Sequence, residues 1–402
     1  MASLRRVGTW ALLAGVLAAS TAHAGPKRKG KARAVAATAA TAALLAIPTT
    51  SSALEPTPDT PSPSTSTSTR TSPSTSTRTN PSTSTSTLTT ASPALQRHVR
   101  KDKQIAPGAD PSLLTIETGP DAGHYLVTTG MLSVRRSDDL VHWRKAGTLF
   151  KGNRLPRDVA GDFWAPSLST DGKRFFLRYS ARGHDGILRV RSAVARKVTG
   201  PYRDLGPTVP HDAGTSVGDI DASELIDVDG SRWLLWKHDG NAAGQRTPIY
   251  IQRLGPRGEH LIGPRRQIAL NDQAWEGIDT EAPSAIRRGR YIYVSYAGYM
   301  YGTSRYNVGM LRIDAPHGLA AALRGGARFV KHRGPVARST SANHVGMAHG
   351  DFILGGDYFI SHGWRRGEVR QSPRVTLVRK VTWKRGWPAI RNGAARRGAR
   401  GR

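Results

Sequence analysis

Three short segments each set one carboxylate beside small residues at the start of an apolar run: ADPSLL with Asp110, IDASELI with Asp221 and EAPSAI with Glu281. Any one alone has an ordinary explanation: a turn at Asp110-Pro111, a strand-start cap at Asp221, an exposed hairpin flank at Glu281. Gathered in one partly dry pocket they would repel, so at least one would have its pKa raised and hold a proton. One carboxyl held protonated and another ionised is the pairing that glycosidic bond cleavage uses, the acid protonating the leaving oxygen and the base acting on water. Glu276 lies in the same short loop as Glu281. Glu281 is preferred because its distance from the following hairpin glycine, Gly289, is close to that of Asp221 from Gly230, eight residues against nine.

Such a pocket needs elements that bring distant residues to one point. Five times a Gly-rich turn precedes a short aromatic or β-branched strand: GHYLVTTG, GKRFFLRYS, GSRWLLWK, GRYIYVSYAG and GGDYFISHG. Glycine there supplies the positive φ of hairpin turns, and the strands have the composition of packed sheets. Recurrence about every 50 to 65 residues lies near the blade length of propellers, which predicts an all-β fold, a five-bladed β-propeller. Each hairpin is preceded by a segment in a comparable place: ADPSLL, WAPSLS, IDASELI, EAPSAI and NHVGMA. If these are the innermost strands, Asp110, Trp164, Asp221, Glu281 and His344 approach one axis at one end. Trp164 offers a ring that suits the apolar face of a sugar, or else packs between blades. Lys237, His238 and Asp239 follow the third hairpin strand, where contacts to a substrate can arise, as can an ordinary turn.

The rest of the 402 residues frames this domain. The first 24 read as a signal peptide: Arg5 and Arg6, an apolar run from Trp10 to Ala19, and Ala22-His23-Ala24 as a cleavage site. A second basic-then-apolar stretch runs to Ile47; it is too short and Ala/Thr-rich for a membrane span, and is either a helical remnant or the signal of a later start. Residues 25–95 read as a low-complexity linker, Ala-rich and then Ser/Thr/Pro-rich and disordered. The propeller is expected over 105–390 and a basic tail over 391–402. The absence of cysteine excludes disulfides, thiolate metal sites and a cysteine nucleophile. The formal charge of +30 is concentrated in the flanks: residues 1–104 hold 13 Lys/Arg against 3 Asp/Glu, and the segment from Arg379 holds 9 against none. Such arms attract polyanions or reflect an Arg-rich compositional bias. No helix-turn-helix, zinc-finger or RNP-type motif is present, so nucleic acid is not an expected partner.

At the carboxylate segments the sequence resembles glycoside hydrolase family 43, the arabinanase, arabinofuranosidase and xylosidase family, from about Ile105 to Ile390. ADPSLL resembles the first-blade motif, DFWAPSLSTDGKRFFLRYS the second, IDASELIDVDGSRWLLWKHDGN the third and NDQAWEGIDTEAPSAIRRGRYIYVSYA the fourth, with TWKRGWPAI resembling the closing strand. The resemblance implies Asp110 as general base, Glu281 as general acid and Asp221 as the residue that orients the acid and modulates its pKa. Ala222 stands where the family usually has Pro, and Ala282 where Gly is commoner. The fifth blade matches least well. Relatives often place a histidine near an axial ion there, which makes His344 the candidate ligand of a structural calcium ion, with His349 the alternative, or else a core histidine. No cofactor is expected for the chemistry itself. The resemblance thus implies an inverting hydrolase of arabinose- or xylose-containing polysaccharide or oligosaccharide, an α-L-arabinofuranosidase or arabinanase. The N-terminal segment adds secretion, with or without retention at the cell surface, and a monomer is expected. A β-xylosidase of the same family and a non-catalytic carbohydrate-binding propeller are the alternatives.

Overall fold

The computed structural model describes residues 90–211 and 214–392. The signal-peptide reading, the Ala-rich stretch and the Ser/Thr/Pro-rich segment up to residue 89 lie outside the described residues. So does the basic tail beyond Asn392. Among the described residues, no helix is long and apolar enough to cross a membrane.

Helix α1 (Pro93–Arg100) opens the described chain, capped by Ser92, whose hydroxyl accepts from the Leu95 amide. A two-residue strand, β1 (Ala106–Pro107), follows. Four antiparallel meanders come next. Blade one is β2 (Ser112–Ile116), β3 (Gly123–Val127), β4 (Ser133–Ser137) and β5 (Arg144–Thr148). Blade two is β6 (Val159–Thr170), β7 (Phe175–Gly183), β8 (Leu188–Ala195) and β9 (Arg203–Pro207). Blade three is β10 (Asp219–Ile226), β11 (Arg232–His238), β12 (Ile249–Leu254) and β13 (Leu261–Ala269). Blade four is β14 (Thr280–Arg288), β15 (Tyr291–Gly298), β16 (Asn307–Asp314) and β17 (Val330–Lys331), with α2 (Leu319–Arg324) on the connection between its last two strands.

The fifth blade closes the ring. It comprises β18 (His344–Ile353), β19 (Tyr358–Arg365) and β20 (Val375–Lys384). Along β20, β1 pairs at one end, Ala106 opposite Thr376, and β21 (Trp387–Arg391) pairs at the other, Val381 opposite Ile390. The two ends of the fold thus share one sheet, which removes an open edge where the ring would otherwise part. The five expected hairpin strands are β3, β7, β11, β15 and β19, the second strand of each blade, and β3 is buried at every position because sheets cover both its faces.

Apolar side chains fill the junctions between successive blades. Tyr125, Val127, Phe163 and Tyr179 join blades one and two; Ala222, Trp236 and Val190 join two and three; Leu235, Ile251, Val294 and Ile313 join three and four; Tyr293, Met310 and Phe359 join four and five. The last junction, blade five to blade one, holds Leu126, Leu140, Ile360 and Val378 together with Leu95 of α1. Leu95 is completely buried. Among the described residues the packed region thus already includes α1 and Ala91, upstream of Ile105, and residues expected to close a linker instead contribute to the core: the Ser-Pro start favours a cap and a helix, and Leu95 faces the seam.

Candidate active site

The innermost strands β6, β10, β14 and β18 and the start of β2 share an unusual backbone feature. Asp110, Ala165, Asp221, Ala282 and His349, one per blade, all have positive φ, from 44° to 58°. A non-glycine residue there costs about 1–2 kcal/mol, and recurrence in all five blades marks it as part of the design of the fold. The ladder is bulged at each of the four strands, as between Ile220 and Ser223 or Glu281 and Ser284. The amides freed by these turns are taken up by the preceding blade. The Asp110 amide donates to His362 Nδ1 (3.2 Å), that of Ala165 to Thr129 Oγ1 (2.8 Å), that of Asp221 to Ser180 Oγ (3.0 Å) and that of Ala282 to Asp221 Oδ2 (3.2 Å). Beneath this ring lies a cavity of about 20 Å³, lined in part by Ser112, Ser167, Ser223 and Asp351.

Equivalent positions are thus Asp110, Ala165, Asp221, Ala282 and His349, with Trp164 and Glu281 each one residue earlier. This corrects the fifth blade. His344 starts β18 away from the cavity, with its Nδ1 3.4 Å from the Asp102 carboxylate. The axial histidine is His349, whose Nδ1 is 3.3 Å from Asp110 Oδ1. The usable signal was the AHGD segment, which matches ADPS better than NHVGMA does. Glu276 is also accounted for: fully buried, it accepts from the Tyr296 hydroxyl (2.6 Å) and from the amides of Asp272 and Gln273, which makes it a loop anchor.

Asp110 sits among donors. Thr129 Oγ1 donates to its Oδ2 (2.6 Å) and Arg374 Nη1 to its Oδ1 (3.0 Å), while His362 Nδ1, the acceptor of the Asp110 amide, lies 2.9 Å from Oδ1. Burial alone would push its pKa up, but the Arg374 guanidinium, His349 and His362 outweigh this and hold it well below the ordinary carboxylate range. His362 is itself lowered to about 4 by burial and by Arg374, and its ring stacks on Tyr306 at 5.5 Å. Asp221 goes the other way. Burial and the neighbouring charges of Glu281 and Asp110 push it up to about 7, against the pull of His349 and Lys237.

Glu281 accepts from the Tyr306 hydroxyl at Oε1 (2.7 Å) and from Lys237 Nζ at Oε2 (3.0 Å). Burial raises its pKa, and Lys237, His349 and Tyr306 bring it net downward. Lys237, expected to reach a substrate, is instead only 1% exposed and lies between Glu281, Asp279 and Asp239. The period of β11 turns it inward. Asp239, expected beside it, pairs with it at 3.1 Å. Trp164 is half-buried, with the Arg182 guanidinium 5.7 Å from its ring centre.

Asp110, His349 and His362 bring one donor atom each within 4.8 Å of one another, the one such cluster of three among the described residues. They do not fit calcium, which takes six to eight oxygen ligands. Two of the three donors are imidazole nitrogens, and Arg374 Nη1 stands 3.0 Å from Asp110 Oδ1 and 3.3 Å from His362 Nε2. A fixed guanidinium charge already neutralises the carboxylate that a cation would need. Sequence reasoning missed Arg374, Tyr306, Thr129, His362 and Asp279. Three of them left a trace: Thr129 in the GHYLVTTG of the first hairpin strand, His362 in the SHGW that ends the fifth, and Asp279 in the IDTEAPS that leads into Glu281.

Comparison with known proteins gives a consistent picture. The family described as Glycosyl hydrolases family 43 matches residues 105–388. Xylosidase/arabinosidase 43B of Humicola insolens is 29% identical over 218 residues, 47% of this chain and 36% of the relative. The extracellular endo-α-(1→5)-L-arabinanase 2 of Bacillus subtilis is 24% identical over 246 residues, 52% of this chain and 48% of the relative. The chain thus spans about half or less of the length of these curated relatives. Among solved structures, a thermostable family-43 glycoside hydrolase superposes with a TM-score of 0.59 at 22% identity, over 74% of this chain and 97% of that one, and shares its fold.

Proposed function

Because the chain belongs to glycosyl hydrolases family 43, we propose that it is a secreted, monomeric glycosidase that cleaves arabinose- or xylose-containing polysaccharide with inversion, as an α-L-arabinofuranosidase or arabinanase. The observation that carries this reading is the convergence of three carboxyls from three blades on one axis, Asp110 held by Arg374 and Thr129 and Glu281 one residue ahead of the turn whose amide Asp221 accepts. Their surroundings separate them: Asp110 is held well below the ordinary range, Asp221 is pushed up to about 7, and Glu281 is brought net downward by Lys237 against burial. Groups whose environments push their pKa values apart divide into acids and bases. The relatives' names, a xylosidase/arabinosidase and an extracellular arabinanase, support the substrate class and export.

In this reading Asp110 is the base. Arg374 keeps it charged and Thr129 fixes its second oxygen, so it can take a proton from water attacking the anomeric carbon. Glu281 is the acid and gives its proton to the departing oxygen. Asp221 acts on Glu281 twice, through its charge and through its hold on the Ala282 amide. Trp164 provides an aromatic wall at the same end of blade two. The β-xylosidase alternative uses the same three carboxyls and differs only in the sugar the pocket accepts.

The test is hydrolysis of arabinan, arabinoxylan and aryl arabinosides and xylosides by the purified protein, with product anomers followed by proton NMR. Asp110→Asn is expected to lose activity on every substrate. Glu281→Gln is expected to lose it on unactivated glycosides and to retain it where the leaving group departs without protonation. Initial formation of the retained anomer would refute inversion, and full activity of Glu281→Gln on polymer would refute the assignment of the acid.

A further inference from the structure

Both oxygens of Glu281 accept hydrogen bonds, from Tyr306 and from Lys237. That is the arrangement of an ionised carboxylate, yet a general acid must begin its work protonated. The resolution lies one step further along the lysine. Lys237 Nζ is 3.0 Å from Glu281 Oε2, 2.9 Å from Asp279 Oδ1 and 3.1 Å from Asp239 Oδ1, and its side chain is 1% exposed. Asp279 is further held by Asn241 Nδ2, which donates to its Oδ2 at 3.2 Å. One buried ammonium therefore faces three carboxyls, and with all three ionised two negative charges would be left over. Uncompensated charge at low dielectric is relieved by taking up protons.

We propose that Lys237 and Asp279 are the positioning pair of the acid, an inference that rests on Glu281 being that acid. The Lys237 ammonium fixes the Glu281 carboxyl and stabilises the carboxylate left when the proton has gone to the leaving oxygen. Asp279, on the far side of the same ammonium, offsets its charge so that Glu281 can hold the proton beforehand. Lysine alone would make Glu281 strongly acidic and empty of its proton; the aspartate restores the balance. Of the two carboxyls Asp279 has the higher proton affinity, because burial and the charge of Glu281 push it well above the ordinary range while Lys237 leads the forces that overcome burial at Glu281. The pair shares a proton across the ammonium, and Glu281 carries it when Asp279 is ionised.

The other charged or titratable groups facing this cluster are Asp221 on β10, Asp239 after β11, Tyr306 ahead of β16, His349 on β18, and Asp110 ahead of β2 with Arg374 and His362 against it. The Asp110 group governs the acidic limb of a pH profile and the Glu281 cluster the alkaline limb, so the two can be read separately. The cluster titrates as a unit, and what is measured is its macroscopic value.

The experiment is the pH dependence of kcat/KM for wild type, Asp279→Asn and Lys237→Met. The substrates are an arabino- or xylo-oligosaccharide that wild type hydrolyses and the matching 2,4-dinitrophenyl glycoside. Asp279→Asn removes a negative charge, or a shared proton site, without changing shape, and should lower the alkaline limb by about 1–3 pH units. Lys237→Met removes the positive charge and should raise it. Both shifts should leave the acidic limb in place and vanish on the dinitrophenyl substrate, which needs no acid. A purely structural role would not move the two variants in opposite directions. An unmoved alkaline limb in Asp279→Asn overturns the proposal, as does a shift of both variants the same way; if Lys237→Met does not fold, Asp279→Asn alone decides. Full activity of Glu281→Gln on the oligosaccharide would show instead that the assignment of the acid had failed.

Discussion

The backbone amide of Ala282 donates to Asp221 Oδ2 at 3.2 Å, so the carboxyl of blade three holds the turn of blade four that carries Glu281. The same residue bears a carboxyl pushed up to about 7 by burial and by the charges of Glu281 and Asp110. Geometry and charge can be separated by substitution. Asp221→Asn keeps an oxygen for the amide and removes the charge. It is expected to lower kcat roughly 10²-fold or more on unactivated substrates, the scale of acid catalysis, and to move the alkaline limb of kcat/KM to lower pH. Asp221→Ala removes the tether as well and should be slower still. Equal rates for the two would show that the tether contributes nothing.

The same carboxyl carries a stability signature. Its pKa rises on folding from an ordinary 3.8 to about 7, so the native state holds the proton that the unfolded chain releases. Stability is then unaffected by this group below about pH 4, falls as pH rises from about 4 to about 7, and stays reduced above that. Asp221→Asn should therefore raise Tm at pH 8 and leave it nearly unchanged at pH 3.5. Calorimetry across that range checks the sign, and a Tm difference independent of pH would contradict it.

Arg374 supplies the charge that keeps Asp110 ionised. Arg374→Met should raise the pKa of Asp110, and with it the acidic limb of kcat/KM, by about 1–3 pH units. Because the guanidinium stands where a cation would otherwise be needed, chelator should leave Tm and rate of the wild-type protein unchanged, and added calcium should not raise Tm. A calcium-dependent increase in Tm would show that the cluster takes a cation despite Arg374.

At the blade five to blade one seam, Leu95 of α1 is fully buried. Leu95→Ala should cost about 2–5 kcal/mol in urea or thermal unfolding. Deletion of residues 1–89 is expected to leave Tm unchanged, whereas deletion through Arg100 removes both the Ser92 cap and the Leu95 contact and should lower it. Equal Tm values for the two truncations would place the start of the stable fold after α1.

The five-fold recurrence of turn glycine and β-branched or aromatic strand was legible in the sequence because hairpin φ angles and the two-residue strand period are local properties. It was enough to place Asp110, Asp221 and Glu281 on innermost segments of blades one, three and four. Resolving the fifth blade required the bulge in β18, which decides that His349 rather than His344 occupies the position with φ near 48°. The inward direction of Lys237 likewise followed from strand pairing, since the side of a sheet on which a residue falls depends on register.

What the sequence alone determined is the number of blades and the three carboxyls that meet at their axis, since each is written within a few residues of its own repeat. What only the tertiary structure decided is the charge each carboxyl carries. Arg374 precedes the strand that also pairs with β1, Tyr306 stands ahead of the third strand of blade four, 25 residues beyond Glu281, and Lys237 reaches Glu281 from blade three. Proton affinity depends on burial and on charges a few ångströms away. Those neighbours are brought together by the packing of blade on blade, which no spacing along the chain records.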